Sequence, residues 1–277
     1  MDNHSASKTE ASQFLARPEG RVAYDVDGNG PLVVLVPGVG ELRSTYRFLA
    51  PMLQQAGFRV ATVDLRGHGG SDTTFGSYGD VETASDVVAL IETLGGPAVI
   101  VGNSMAGGAS VIAAADRPEL IRALVLVGPY VRNAEVGAMY RLLLRVAMTP
   151  LWAGVVWKSY MPKLYAGRRP SDFDDYRDRV VKSIRRPGYA KAFSLTTRVN
   201  HDVAETRLGE VVAPTLVVMG DKDPDFKNPS AEAEWIASTL KGSTFMVSEA
   251  GHYPQSQQPE ITAGAVLAFL NTLDAHA

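Results

Sequence analysis

The chain has no cysteine in its 277 residues. This absence excludes disulfide bonds, thiol nucleophiles and cysteine-based zinc sites. No apolar run is long enough to cross a bilayer, so the sequence predicts no transmembrane helix. The formal net charge of −3 gives no electrostatic reason to expect nucleic acid or a membrane as a partner. We therefore expect a cytoplasmic protein whose partner is a small-molecule substrate.

The polar N-terminus lacks the apolar core of a signal peptide, and we expect residues 1–18 to form a loose tail. Short apolar runs then alternate with helical patterns up to residue 130 and again from residue 211. Such alternation predicts an α/β fold with a doubly wound, mostly parallel sheet, built from residues 19–130 and 211–277. The turn sequence "DGNG" at residues 27–30 predicts a hairpin between its flanking strands.

The stretch 131–210 is different, because it has helical periodicity and no convincing strand. Aromatic and methionine residues cluster in its first half. We expect this stretch to form a helical cap over the carboxyl edge of the sheet, where its apolar side chains would line a pocket.

Ligands of open α/β sheets bind beyond the carboxyl ends of the strands. Three chemically useful side chains follow predicted strands there, namely Ser104, Asp223 and His252. A serine hydroxyl needs a base to accept its proton, and a neutral imidazole oriented by a buried carboxylate supplies one near pH 7. The chain order Ser, Asp, His is the order of the α/β-hydrolase triad.

From about Gly20 to Phe269 the sequence resembles the α/β-hydrolase superfamily, including small-molecule esterases and meta-cleavage-product hydrolases. The matching segments are "LVPGVG", "DLRGHGGSD", "VGNSMAGG", "VMGDKDPD" and "AGHYPQSQQPE". The resemblance implies Ser104 as nucleophile, Asp223 as acid and His252 as base. The backbone amides of Val39 and Met105 are candidates for the oxyanion hole.

The chain departs from the family pattern at two positions. Ala106 replaces the second glycine of the motif G-x-S-x-G, and Pro37 stands where relatives often carry histidine. A serine on a strained strand-to-helix turn needs small residues two positions before and two after it, which Gly102 and Ala106 provide.

Less specific interpretations accompany each candidate. Ser104 could be only a helix N-cap, and Asp221 or Asp225 could replace Asp223 as the acid. The loop from Asp221 imitates a calcium-binding EF-hand but lacks its glycine, so we expect no calcium there. A serine hydrolase needs no metal and no cofactor, and we expect neither. His68 is expected to be loop architecture near the pocket and His201 a surface or pocket-lining group.

Three functions are consistent with these residues. The first is a serine hydrolase that cleaves small, partly apolar esters, lactones or thioesters through an acyl-enzyme on Ser104. The second is hydrolysis of a carbon–carbon bond in a β-diketone-like ring-fission product, which "GNSM" favours although Tyr253 stands where those relatives usually have tryptophan. The third is a ligand receptor with little turnover. The sequence does not determine the oligomeric state.

Overall fold

The computed structural model describes residues 12–133 and 137–274. Its centre is an eight-stranded sheet in the order β1-β2-β4-β3-β5-β6-β7-β8. The strands are β1 (Gln13–Arg17), β2 (Gly20–Asp27), β3 (Leu32–Val36), β4 (Arg59–Val63), β5 (Ala98–Asn103), β6 (Ile121–Val127), β7 (Thr215–Gly220) and β8 (Ser243–Val247). Strands β3 to β8 are mutually parallel, whereas β2 is antiparallel to both β1 and β4. The expected mostly parallel sheet is confirmed.

Helices cover both faces of the sheet, which explains why its central strands are apolar on both sides. The helices are α1 (Leu49–Gln55), α2 (Asp80–Thr93), α3 (Met105–Asp116), α4 (Ala138–Ala147), α5 (Ala153–Leu164), α6 (Phe173–Ile184), α7 (Tyr189–Thr196), α8 (Asp202–Arg207), α9 (Pro229–Thr239), α10 (Pro254–Gln257) and α11 (Pro259–Asp274). One buried cluster joins the sheet to α2, α3 and α9, and a second joins its other face to α1 and α11.

Two expectations differ from the structure at the N-terminal edge. The predicted hairpin is wrong, because β2 and β3 do not pair and β4 lies between them. Residues 1–11 of the expected loose tail lie outside the described residues, but Gln13–Arg17 form β1 and pair with β2. Leu15 turns inward there and is 6% exposed, so burial of a single apolar side chain helps to fix this edge strand.

Helices α4 to α8 lie between β6 and β7, and the described part of this stretch contains no strand. Side chains of α5, α6 and α7 form a separate buried cluster that includes Trp157, Tyr176 and Phe193. Helix α8 packs instead against α3 of the main body. The cap limits 131–210 therefore stay a prediction. Across the described residues, no helix has the length and apolarity that crossing a bilayer requires.

Candidate active site

Ser104 lies on a strained turn between β5 and α3. Its backbone has φ 58° and ψ −125°, in a region that residues other than glycine rarely occupy. Three backbone hydrogen bonds hold this conformation. The amide of Ser104 donates to the carbonyl of Val127 at 3.0 Å, and the carbonyl of Ser104 accepts from Gly107 at 2.8 Å and Tyr130 at 3.0 Å. Ser104 precedes α3 without capping it through its side chain, which makes no capping hydrogen bond.

The small residues around Ser104 are required by close packing. A Cβ atom on Gly102 would lie 2.5 Å from both the carbonyl oxygen of Ala106 and the hydroxyl of Ser110. Ala106 itself is fully buried inside α3, where its methyl group is accommodated. The departure from glycine at this position is thus compatible with the sharp turn.

Asp223 and His252 form a buried pair at the ends of β7 and β8. The Nδ1 atom of His252 donates to Oδ2 of Asp223 at 2.7 Å, and each residue is 2% exposed. The other carboxylate oxygen of Asp223 accepts from the amide of Asp225 at 3.0 Å. Asp221 is exposed and accepts instead from Ser248 and Ala250. Of the three aspartates considered, Asp223 is the one bonded to the histidine.

Asn103 links the strand that carries Ser104 to the loop that carries His252. Its Nδ2 atom donates to the carbonyl of Val127 at 2.9 Å and to the carbonyl of His252 at 3.1 Å. Nearby, a Cβ on Gly128 would lie 3.2 Å from Oδ2 of Asp223 and 3.3 Å from Nδ1 of His252. The three predicted residues therefore lie along one rim of the sheet. The positioning role of Asn103 was not predicted from the sequence, where its signal is an amide that ends an otherwise apolar strand.

The loop after β3 passes directly against Ser104. A Cβ on Gly38 would lie only 2.7 Å from Cβ of Ser104. Across residues 12–133 and 137–274, the amides of Val39 and Met105 donate to no other protein group. The amide of Met105 also lies at the N-terminus of α3, where the helix dipole favours negative charge. Both predicted oxyanion-hole donors are thus free beside Ser104 in the described structure.

Gly40 is held from two sides. Its amide donates to Nε2 of His68 at 3.1 Å, and its carbonyl accepts from Nε1 of Trp157 on α5 at 3.1 Å. Nδ1 of His68 lies 3.1 Å from the carbonyl of Arg66, so this ring is neutral, with its proton on Nδ1. Burial lowers the pKa of His68, which favours the same state. His68 supports the loop that carries Val39, a role consistent with the expected loop architecture.

A second carboxylate lies on the other side of the His252 ring. Oδ2 of Asp225 is 3.8 Å from Nε2 of His252, and the hydroxyl of Tyr160 on α5 donates to Oδ1 of Asp225 at 2.5 Å. Burial lowers the pKa of His252, but the negative charges of Asp223 and Asp225 outweigh this effect and raise it to about 9.

Asp223, Asp225 and His252 are also close enough together to be considered as metal ligands, since one ligand atom of each lies within 4.8 Å of the others. Both oxygens of Asp223 already accept hydrogen bonds, however, from His252 and from the amide of Asp225. The arrangement suits a proton relay better than a cation site.

Two further buried titratable groups lie near the rim. Glu41 is fully buried and accepts from the hydroxyl of Tyr176 at 2.6 Å, and burial raises its pKa to about 7. His201 is buried rather than on the surface. Its Nδ1 lies 2.7 Å from Oδ2 of Asp80, and its ring stacks on Tyr130 at a centroid distance of 5.7 Å. Neither contact is predictable from the sequence, because each joins elements that are distant in the chain.

Comparison with known proteins shows the family of the chain. The model of the alpha/beta hydrolase family matches residues 33–265. The chain belongs to the alpha/beta hydrolase family. It is 31% identical to a 2-(acetamidomethylene)succinate hydrolase of Mesorhizobium japonicum, with 96% of this chain and 99% of the relative covered. It is 30% identical to a pimeloyl-[acyl-carrier protein] methyl ester esterase of Neisseria meningitidis, with 86% and 93% covered.

Solved structures share the fold at lower identity. A bromoperoxidase from Bacillus anthracis superposes with a TM-score of 0.82 at 19% identity, covering 94% of this chain and 100% of that one. An esterase from Exiguobacterium antarcticum superposes with a TM-score of 0.80, also at 19% identity, with 94% and 100% covered. These two structures establish the fold alone. The sequence relatives support a hydrolase.

Proposed function

We propose that the protein is a serine hydrolase of small, partly apolar carboxylic esters, lactones or thioesters. The observation that carries the proposal is the buried 2.7 Å bond between Asp223 and His252 on the rim where Ser104 occupies its strained turn. A nucleophile, a base and an orienting carboxylate are the three parts of the serine-hydrolase triad. The methyl ester esterase activity named for the Neisseria relative supports the ester class.

In the proposed reaction, the hydroxyl oxygen of Ser104 attacks the substrate carbonyl while Nε2 of His252 accepts the hydroxyl proton. The carbonyl oxygen becomes an oxyanion that the amides of Val39 and Met105 bind. The intermediate collapses when its bond to the leaving group breaks, and the leaving group takes the proton from His252. Water then hydrolyses the acyl-enzyme by the same route, which restores the hydroxyl of Ser104 and releases the acid.

Asp223 has the supporting role of holding the imidazole in one tautomer. Its bond to Nδ1 leaves Nε2 as the atom that faces the substrate. The carboxylate also stabilises the imidazolium that forms when the proton is transferred. No metal or cofactor enters this proposal.

The test is an ester panel of increasing acyl-chain length, run with the wild type and with Ser104→Ala. We expect the variant to lose about a thousandfold or more in kcat. A fluorophosphonate probe should label the wild type and not Ser104→Ala. Ser238→Ala, which removes an exposed hydroxyl of α9, is the matched control and should label like the wild type.

Other outcomes distinguish the alternatives. Turnover of a vinylogous diketo acid at a higher kcat/KM than any ester would support carbon–carbon bond hydrolysis and overturn the ester class. Folded wild-type protein that neither reacts with the probe nor hydrolyses any ester would overturn the enzymatic proposal and favour a ligand receptor.

A further inference from the structure

Helix α4 carries an apolar stripe that faces solvent. Met139, Leu142, Leu143 and Val146 follow the spacing i, i+3, i+4, i+7, which places them on one side of a helix. A stripe of this kind normally packs on a protein core. Here the four residues are 68%, 55%, 59% and 50% exposed. The stripe has no covering layer within the described structure.

The stripe continues into the start of α5. Nε1 of Trp152 donates to the carbonyl of Val146 at 2.9 Å, which joins this indole to the end of α4. Leu151 beside it is 84% exposed and Trp152 is 41% exposed. We call this surface the apolar cap patch, formed by Met139, Leu142, Leu143, Val146, Leu151 and Trp152.

The apolar cap patch lies in a basic segment of the sequence, in which Lys158 is paired with Asp178 of α6. The chain has no acidic residue between Glu135 and Asp172, but it has six basic ones there. Two of these, Arg141 and Arg145, lie on α4 on the side opposite the stripe, and both are exposed. We expected no membrane partner from the net charge of −3, which is that of the whole chain. The segment between Glu135 and Asp172 is basic, and the rest of the chain is acidic.

We propose that the apolar cap patch docks on the surface of an anionic lipid bilayer, with α4 lying in the plane of the interface. A short helix with an apolar stripe, an arginine-bearing opposite side and a neighbouring tryptophan has the pattern of interfacial helices. The apolar side chains would enter the boundary between headgroups and acyl chains, while the arginines contact anionic headgroups. Tryptophan favours this depth because its ring is apolar and its N–H is polar.

The same charges argue against a second copy of the chain as the occupant. A second copy would offer apolar surface to the stripe, but its own α4 carries no acidic group that could pair with Arg141 and Arg145. A bilayer with anionic lipids offers both the apolar volume and the opposite charge.

Co-sedimentation with vesicles tests this proposal. The probes are vesicles of pure phosphatidylcholine and vesicles that also contain phosphatidylglycerol. We expect the wild type to bind the anionic vesicles about tenfold or more tightly, and to be released as salt rises. Brominated lipid should quench the tryptophan fluorescence of the bound protein, and Trp152→Phe should remove most of that quenching while Trp157 and Trp235 remain.

Two sets of variants separate the apolar and the charged contributions. Leu142→Ser with Leu143→Ser should weaken binding about tenfold or more, whereas Val212→Ser, at a residue that is 77% exposed elsewhere, should not. Arg141→Gln with Arg145→Gln should remove the preference for anionic lipid. The control pair Lys191→Gln and Lys241→Gln removes two exposed charges elsewhere and should keep that preference.

Folded wild type that does not bind anionic vesicles would overturn the proposal. Equal binding by the Leu142→Ser, Leu143→Ser variant would also overturn it. A concentration-dependent dimer in sedimentation velocity that this variant abolishes would identify a second copy as the occupant instead. The Ser104→Ala protein should bind vesicles like the wild type, so failure of the proposed chemistry and failure of lipid docking are distinguishable.

Discussion

The side-chain amide of Asn103 donates to the backbone carbonyl of His252 at 3.1 Å, across 149 positions of sequence. It also donates to the carbonyl of Val127 at 2.9 Å. One buried amide thus fixes the loop of the proposed base relative to the strand that ends at the proposed nucleophile.

We predict that Asn103→Ala costs on the order of 1–3 kcal/mol of unfolding free energy, because the buried carbonyl of His252 loses its donor and the carbonyl of Val127 keeps only the amide of Ser104. It should also lower kcat by about tenfold or more, since small displacements of catalytic groups are costly. Chemical denaturation and ester kinetics measure the two effects. A variant that is destabilised but keeps the wild-type kcat would contradict the positioning role.

Much of the rim could be predicted from the sequence because each proposed catalytic residue follows an apolar strand within a few residues. The parallel arrangement then brings Ser104, Asp223 and His252 to the same edge of the sheet. Asn103 and Trp157 could not be assigned in this way, since their partners lie in segments far away in the chain. The prediction of a hairpin was wrong because it also depended on a partner that is distant in the chain. Local turn residues at 27–30 favoured it, but pairing of β2 and β3 with β4 decided the sheet order.

Helix α5 and the proposed oxyanion loop are coupled through Gly40. Trp157→Phe keeps the packed ring but removes the 3.1 Å bond from Nε1 to the carbonyl of Gly40. We predict a fall in kcat of about tenfold with little change in KM, because Val39 would be held less firmly toward the oxyanion. The matched control is Trp235→Phe on α9. Equal kcat values in both variants would show that the bond does not support the loop.

The pH dependence of the proposed reaction follows from the carboxylates around His252. Only the neutral imidazole can accept the proton of Ser104, so kcat/KM should rise with pH through the pKa of His252, which the carboxylates raise to about 9. The acidic groups that contribute to this pKa are Asp223, Asp225 and Glu41.

Asp225→Asn removes one negative charge next to Nε2 and therefore destabilises the imidazolium. We predict that the acid limb of kcat/KM moves to lower pH by about one unit. Asp221→Asn, on the same loop but bonded to Ser248 and Ala250, should leave the limb in place. A pH–rate profile that is identical for wild type and Asp225→Asn would rule out this electrostatic role of Asp225.

The buried carboxyl group of Glu41 leads to a prediction about the stability of the fold rather than the rate of the reaction. Its pKa in the folded protein is about 7, against an ordinary value of 4.5, because burial disfavours the carboxylate. The folded state therefore binds the proton more tightly than the unfolded state. The stability that this provides is complete below pH 4.5 and is lost as pH rises through 7.

Glu41→Gln keeps an acceptor for the hydroxyl of Tyr176 and removes the titration. We predict that the free energy of unfolding of the variant rises relative to that of the wild type between pH 5 and pH 8, by up to the order of 3 kcal/mol. Urea unfolding at several pH values measures the difference. Asp175→Asn, at an exposed carboxylate of α6, serves as the control and should show no comparable gain. If Glu41→Gln and the wild type differed in unfolding free energy by the same amount at pH 5 and at pH 8, the carboxyl group would not be titrating in this range.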